Sequence, residues 1–202
     1  MTLATVAVVV ATALTVAMLL PQLVKLARTG QAEGVSATWA AFGAVTNLAW
    51  TAYVASQGLW AAAPSTALVS VLYLVVLFLI VRTGRGAGRV TAPAAAAWVM
   101  AMAAVLASGG WAGLGLLLGL SYGVQVTPSL WTAYRTWAPR AIAPGTWAIG
   151  AIEAVPWGYY GWFHGDRALV LFGFVGLAAS VLMLARYYGT RHRWREAAPM
   201  TA

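Results

Sequence analysis

The chain has no cysteine, which excludes disulfides, thiolate metal sites and thiol nucleophiles. Charge is nearly as scarce. Of 202 residues only four are acidic, and Lys25 is the single lysine. With that lysine at the end of an apolar run, retinal Schiff-base chemistry in its usual form is excluded. The only histidines, His164 and His192, fall at a turn and in the tail. There is then no histidine-rich metal motif and no nucleophile–base constellation, so no enzyme activity, cofactor or metal is expected. No Lys or Arg precedes the first apolar run, so the basic n-region of a secretory signal is missing.

What the chain has instead is apolar surface. It is 62% hydrophobic and 8% charged, where soluble domains run at roughly 45–50% and about 25%. This composition predicts an all-α integral membrane protein. Its wealth of Ala, Gly, Val and Arg is associated with GC-rich bacterial genomes, which makes the bacterial inner (plasma) membrane the expected location. A spanning helix needs about 20 apolar residues, and seven such segments can be marked: 3–26, 36–55, 60–81, 91–107, 111–134, 146–163 and 168–184. Ser108-Gly109-Gly110 separates the fourth from the fifth.

Seven spans put alternate loops on opposite sides. Lys25, Arg28, Arg82, Arg85, Arg89, Arg135, Arg140, Arg186, Arg191, Arg193 and Arg195 share one side, and Arg167 alone lies on the other. The positive-inside rule then places the N-terminus outside and the C-terminus in the cytoplasm. The formal charge of +8 is thereby explained by topology and by contact with the lipid bilayer; no nucleic acid is expected.

An offset of 107 residues aligns the chain with itself. Pro21 meets Pro128, Leu23 meets Leu130, Arg28-Thr29 meets Arg135-Thr136, Gly43-Ala44 meets Gly150-Ala151, Trp50 meets Trp157, Tyr53 meets Tyr160 and Gly58 meets Gly165. One gapless register through two spans implies duplication. The expected architecture is 3+1+3: a three-helix repeat over 1–81, a linker loop and helix over 82–110, a second repeat over 111–188 and a basic tail over 189–202. The single linking span restores the orientation of the second copy, so the two repeats are parallel.

Three features carry the candidate chemistry. Pro21-Gln22 sits late in the first span, where a proline breaks the helical ladder and a glutamine amide is costly in hydrocarbon. It marks either a bent, inward-facing gating point with Pro128 as its mate, or simply a helix nearing its polar end. Thr46, Trp50 and Tyr53 lie at i, i+4 and i+7 on one helical face, and their mates are Glu153, Trp157 and Tyr160. Two such faces would line a central cavity, with Asn47, Gln125 and Tyr122 nearby. The competing reading makes these rings interface anchors, the role expected for Trp39, Trp60, Trp111, Trp137, Trp147 and Trp162. Glu153 is the one acidic residue inside a span. A charge at a helix centre costs about 2.5–3.5 kcal/mol on insertion scales, so such residues face the bundle interior. The alternative is a protonated carboxyl satisfied by a neighbouring helix.

Pro21-Gln22, Gly34-Val35-Ser36 opening the second span, and Ala49-Trp50 with Tyr53 together resemble the PQ-loop superfamily. The seven-span SWEET sugar transporters, built like two single-repeat SemiSWEETs around a linker, are the nearest likeness. It covers about residues 3–185. The second copy departs from it in reading Pro128-Ser129, and no proline opens the second span. Where the family has a pocket asparagine, this chain has Pro64-Ser65-Thr66 and Leu171-Phe172-Gly173. The resemblance implies a transporter that moves a small polar solute, a sugar foremost, by alternating access at a midplane site. Thr46, Asn47, Trp50, Glu153 and Trp157 would bind the solute, Tyr53, Tyr160 and Gln125 would border it, and Pro21, Gln22 and Pro128 would act as hinges. It also leaves open a proton-coupled amino-acid or cation carrier like the cystinosin branch, a non-transporting receptor like the KDEL receptor, and a homo-oligomer.

Overall fold

The computed structural model describes residues 2–30, 36–85, 88–139 and 142–192, and they form helices joined by short turns. The helices are α1 (Leu3–Thr29), α2 (Ala37–Ser56), α3 (Ala63–Ile80), α4 (Thr91–Arg135), α5 (Pro144–His164) and α6 (Arg167–Thr190), with a π-helical turn at Val81–Arg85 after α3. Gly34 and Val35 of the motif, the side chains of Gln22 and Arg85, the loop arginine Arg140 and the tail beyond His192 lie outside the described residues.

Four helices, α1, α3 with its following turn, α4 and α6, are long and apolar enough to cross a membrane. The shortfall in α2 and α5 has a cause. These helices, 20 and 21 residues long, carry the Thr, Asn, Glu, Trp and Tyr residues singled out above, and those side chains lower the mean hydropathy.

The fourth and fifth expected segments form one helical element of 45 residues, interrupted only at Gly110, where φ is 60° and ψ is −161°. At 1.5 Å per residue a straight helix of that length would run about 68 Å, over twice the roughly 30 Å of a hydrocarbon core. The chain instead folds back. A Cβ on Gly113 would stand 3.3 Å from Val105 Cγ1, a contact that no straight helix makes across eight residues. Glycine supplies the left-handed φ that the reversal needs. The helix continues through Ser108 and Gly109, so the break is narrower than the Ser108-Gly109-Gly110 stretch suggests.

The local caps follow from sequence. Thr2, Ser36 and Asp166 accept hydrogen bonds from the first-turn backbone N–H groups of α1, α2 and α6, which satisfies donors that a helix start leaves unpaired.

The packing repeats with the 107-residue offset. Both α1 and α2 pack on α3; both α4 and α5 pack on α6; α1 meets α5, and α2 meets α4. The turns leaving α2 and α5 are built alike. Gly58 and Gly165 take φ of 72° and 69°. Leu59 N–H donates to Val54 O at 2.8 Å, and Asp166 N–H donates to Gly161 O at 2.8 Å. Close approaches also recur: a Cβ on Gly43 would enter the Tyr73 ring, and one on Gly150 would meet Ser180 Oγ at 3.0 Å.

Core packing differs between the two ends of the bundle. Lys25, Arg28, Arg82, Arg89, Arg135, Arg186 and Arg191 all sit at the same end, set by helix direction. There the apolar core is split. Leu26, Ala40, Val76 and Ile80 pack together with Leu23, and their offset mates Ala133, Trp147, Met183 and Tyr187 belong to a separate cluster with Leu130. At the opposite end one cluster joins residues of α1, α2, α4, α5 and α6, with Trp50, Tyr53, Trp157, Tyr160 and Leu169 among them.

A cavity lined from both halves of the chain

Between the split and the joined core lies a cavity of about 620 Å³. Its walls include Thr46, Asn47, Trp50, Glu153, Trp157 and Gln125, so the structure brings together the whole expected binding set. Trp50 and Trp157 are each 5% exposed and line the cavity, which places these rings away from a lipid interface. The wall residues Ser36, Ser129 and Thr146 are exposed and lie at the basic end, while Trp50, Ser65, Ser121 and Leu169 at the other end are buried. The cavity therefore opens toward the basic end.

Glu153 is held by a neutral partner: the Thr15 hydroxyl on α1 donates to its Oε1. Trp157, one turn along α5, lines the same cavity, as do Tyr73 and Tyr122. Thr46, the offset mate of Glu153, accepts from Trp98 Nε1 at 2.9 Å. Trp98 belongs to the first arm of α4 and stacks on Phe42 with centroids 5.4 Å apart, so the linking arm braces one wall. The Asn47 amide donates back to Gly43 O at 2.9 Å, which fixes it against its own helix. Trp50 meets Phe172 edge to face at 5.6 Å, and Phe172 meets Tyr122 at 6.0 Å.

Other expected residues fall elsewhere in the structure. Tyr53 and Tyr160 do not line the cavity. They are buried one turn beyond the tryptophans, where Tyr53 OH donates to Asp166 Oδ2 at 2.7 Å and Tyr160 packs 4.5 Å from the His164 ring. The i+7 position carries them past the cavity into the joined core. Pro21 and Pro128 are exposed and away from the cavity wall, and α1 and α4 continue as helices through both. A proline on the outer face leaves its freed carbonyl on that face too, so it need not turn a side chain inward. Trp39 and Trp147 were expected at the interface. Trp39 lines the cavity and packs edge to face on Tyr73 at 4.9 Å, and Trp147 joins the second basic-end cluster.

Thr15, Tyr73 and Ser121 also line the cavity and went unread. Thr15 had a signal: it lies 107 residues before Tyr122, so the repeat pairs it with a candidate. Tyr73 pairs with Ser180, and Ser121 with an apolar leucine, Leu14; neither pairing marks its residue. Pro156, inside α5 between Glu153 and Trp157, is a third helix-interior proline beside the site. Ser65 and Thr66, which stand where the resemblance would put an asparagine, do reach the cavity wall, and so does Phe172 from the second copy.

No protein-family model matches the chain, and no curated protein matches its sequence.

Proposed function

We propose that this chain is a seven-span carrier of 3+1+3 organisation, in which two parallel three-helix repeats rock about a central cavity and move a small polar solute across the membrane. The basic end faces the cytoplasm, and the conformation described is open to that side. The observation that carries this reading is the contrast between the two ends of the bundle. One shared core cluster closes the cavity at one end, and two offset-related clusters, one per repeat, flank its mouth at the other. A structure whose halves are fused at one end and parted at the other needs only a small relative rotation to reverse which end is closed.

Paired indoles with neutral hydrogen-bonding groups on the walls suit a compact, hydroxylated solute. A flat ring offers its face to the apolar side of such a molecule, and hydroxyls and amides meet its rim. This agrees with what the SWEET resemblance implies.

Counterflow decides between carriage and mere binding. Purified protein in liposomes loaded with unlabelled sugars, amino acids or amines should accumulate the matching labelled solute transiently, with saturation. A solute that binds but never exchanges would make the protein a receptor and remove the carrier reading.

A further inference from the structure

We propose that the solute of this cavity is a small organic cation: a protonated amine or quaternary ammonium on an otherwise neutral, hydroxylated body, with its positive charge beside Glu153. The inference rests on the carrier reading for the role of the cavity, and it names the solute class.

Glu153 is the one acidic residue on the described wall, and no Lys, Arg or His lines it. A carboxyl taken out of water either takes up a proton or, where it stays ionised, needs a compensating charge as well as hydrogen bonds. Thr15 supplies a neutral donor and no cationic side chain lines the described wall, which leaves the place of a counter-charge to the solute. The surroundings of the carboxyl are aromatic, with Tyr73, Tyr122, Trp50, Trp157 and Phe172 all reaching the cavity. Ring faces attract cations, and desolvated ones do so most strongly. Carboxylate and rings together therefore favour a cation and repel an anion.

The opposite wall sets the rest of the solute. Thr46 already accepts from Trp98, which leaves its own proton to donate inward. Ser65 also belongs to the cavity wall, and its buried Oγ has no hydrogen-bond partner among the described residues, a cost that a small shift toward a hydroxyl of the solute would relieve. These groups suit neutral hydroxyls. They offer no positive charge to a carboxylate, which counts against a zwitterionic amino acid. Glu153 and Thr46 are offset mates, as are Phe172 and Ser65, so the two walls differ chemically and the solute has one way to lie: charged group toward α5, hydroxyls toward α2 and α3.

The test uses the full chain in liposomes with three probes: glucosamine below its amine pKa, glucose as its neutral counterpart, and choline. Tryptophan fluorescence reads binding and counterflow reads passage. Glucosamine or choline should bind at least about tenfold more tightly than glucose, Glu153→Gln should abolish that preference, and Glu153→Asp should restore part of it. Glucose binding as tightly as both cations, a cation preference that survives Glu153→Gln, or no binding of either cation would each overturn the proposal. If Glu153→Gln does not fold, the wild-type ranking of the probes decides alone. The carrier reading fails differently. Cation binding that depends on Glu153 without counterflow removes the carrier and keeps the cation site, whereas charge-blind counterflow of glucose keeps the carrier and removes the cation.

Discussion

The hydroxyl of Tyr53 on α2 donates to Asp166 Oδ2 at 2.7 Å, across 113 residues of sequence. Asp166 uses its other oxygen, Oδ1, to accept from Leu169 N–H at 2.8 Å and so caps α6. One buried carboxylate thus ties the first repeat to the helix start of the second, at the end where their cores are joined. Tyr53 also packs its ring directly on Gly115, where a Cβ would be only 2.6 Å away. The joined end thus combines a shared apolar core with a buried polar bond inside a close helix crossing.

Tyr53→Phe keeps the ring and removes the donor. The variant should lose about 1–3 kcal/mol of stability, the usual penalty for leaving a buried polar group short of a partner. Asp166→Asn in the same background should cost less than it does alone, because the two side chains share one interaction. Thermal unfolding of the four members of this double-mutant cycle measures the coupling. Strictly additive effects would mean that the bond contributes nothing to closure.

The tryptophans test the cavity itself. Trp50→Ala and Trp157→Ala should each abolish solute flux, since both rings line the cavity, and each should also lower the thermal midpoint, since both belong to the joined core. Flux in reconstituted liposomes, set against the thermal midpoint of each variant, separates the two effects. Normal flux in both variants would place the site elsewhere.

How much of this was legible in the sequence depends on the range of the interaction. Helix positions came from apolar runs, which are local, and the duplication came from a register that any pairwise alignment of the chain with itself reveals. Thr46, Trp50, Glu153 and Trp157 were legible because they lie one turn apart on mated helices. Thr15 was harder. Its role depends on a carboxyl 138 residues away, and helical periodicity says nothing about which foreign helix a face will meet. The turn after α2 follows from the gap between the 36–55 and 60–81 segments, whereas the place of Tyr53 beyond the cavity does not follow from its spacing. Heptad spacing fixes a side chain's bearing around the helix axis but not its height relative to the point where the neighbouring helices close over it.

The glycines give a prediction about asymmetry. Gly43 and Gly150 are offset mates, but Gly43 faces the Tyr73 ring at 2.5 Å from a built Cβ, and Gly150 faces only Ser180 Oγ at 3.0 Å. Gly43→Ala must push a large, mostly buried ring that also lines the cavity, and overpacking of that kind costs about 1–3 kcal/mol. A hydroxyl gives way more easily, so Gly150→Ala should be milder. Thermal unfolding of the two variants checks the order. Equal or reversed costs would show that the crossings can adjust freely and that the close approaches do not set the helix spacing.

The last prediction concerns how many times the chain crosses. If α4 were one span, Ser108 would lie deep in the bilayer and the ends of the element would emerge on opposite sides. If the fold-back at Gly110 is the turn between two spans, Ser108 is at the surface, on the same side as the turns after α2 and α5. The cysteine-free sequence makes the test direct, since every thiol introduced is the only one present. Gln57, Ser108 and His164 are all exposed, as are Val90 and His192 at the basic end. Single cysteines at Gln57, Ser108 and His164 should react with an impermeant maleimide added to intact cells. Single cysteines at Val90 and His192 should react only after the membrane is opened, because basic loops are retained in the cytoplasm. Reaction at Ser108 decides the spans of α4, and reaction at the other four decides orientation. An unreactive Ser108 beside a reactive Gln57 would leave α4 as a single crossing, and the 3+1+3 arrangement would fall with it. Reaction of all five in intact cells would remove the membrane topology altogether.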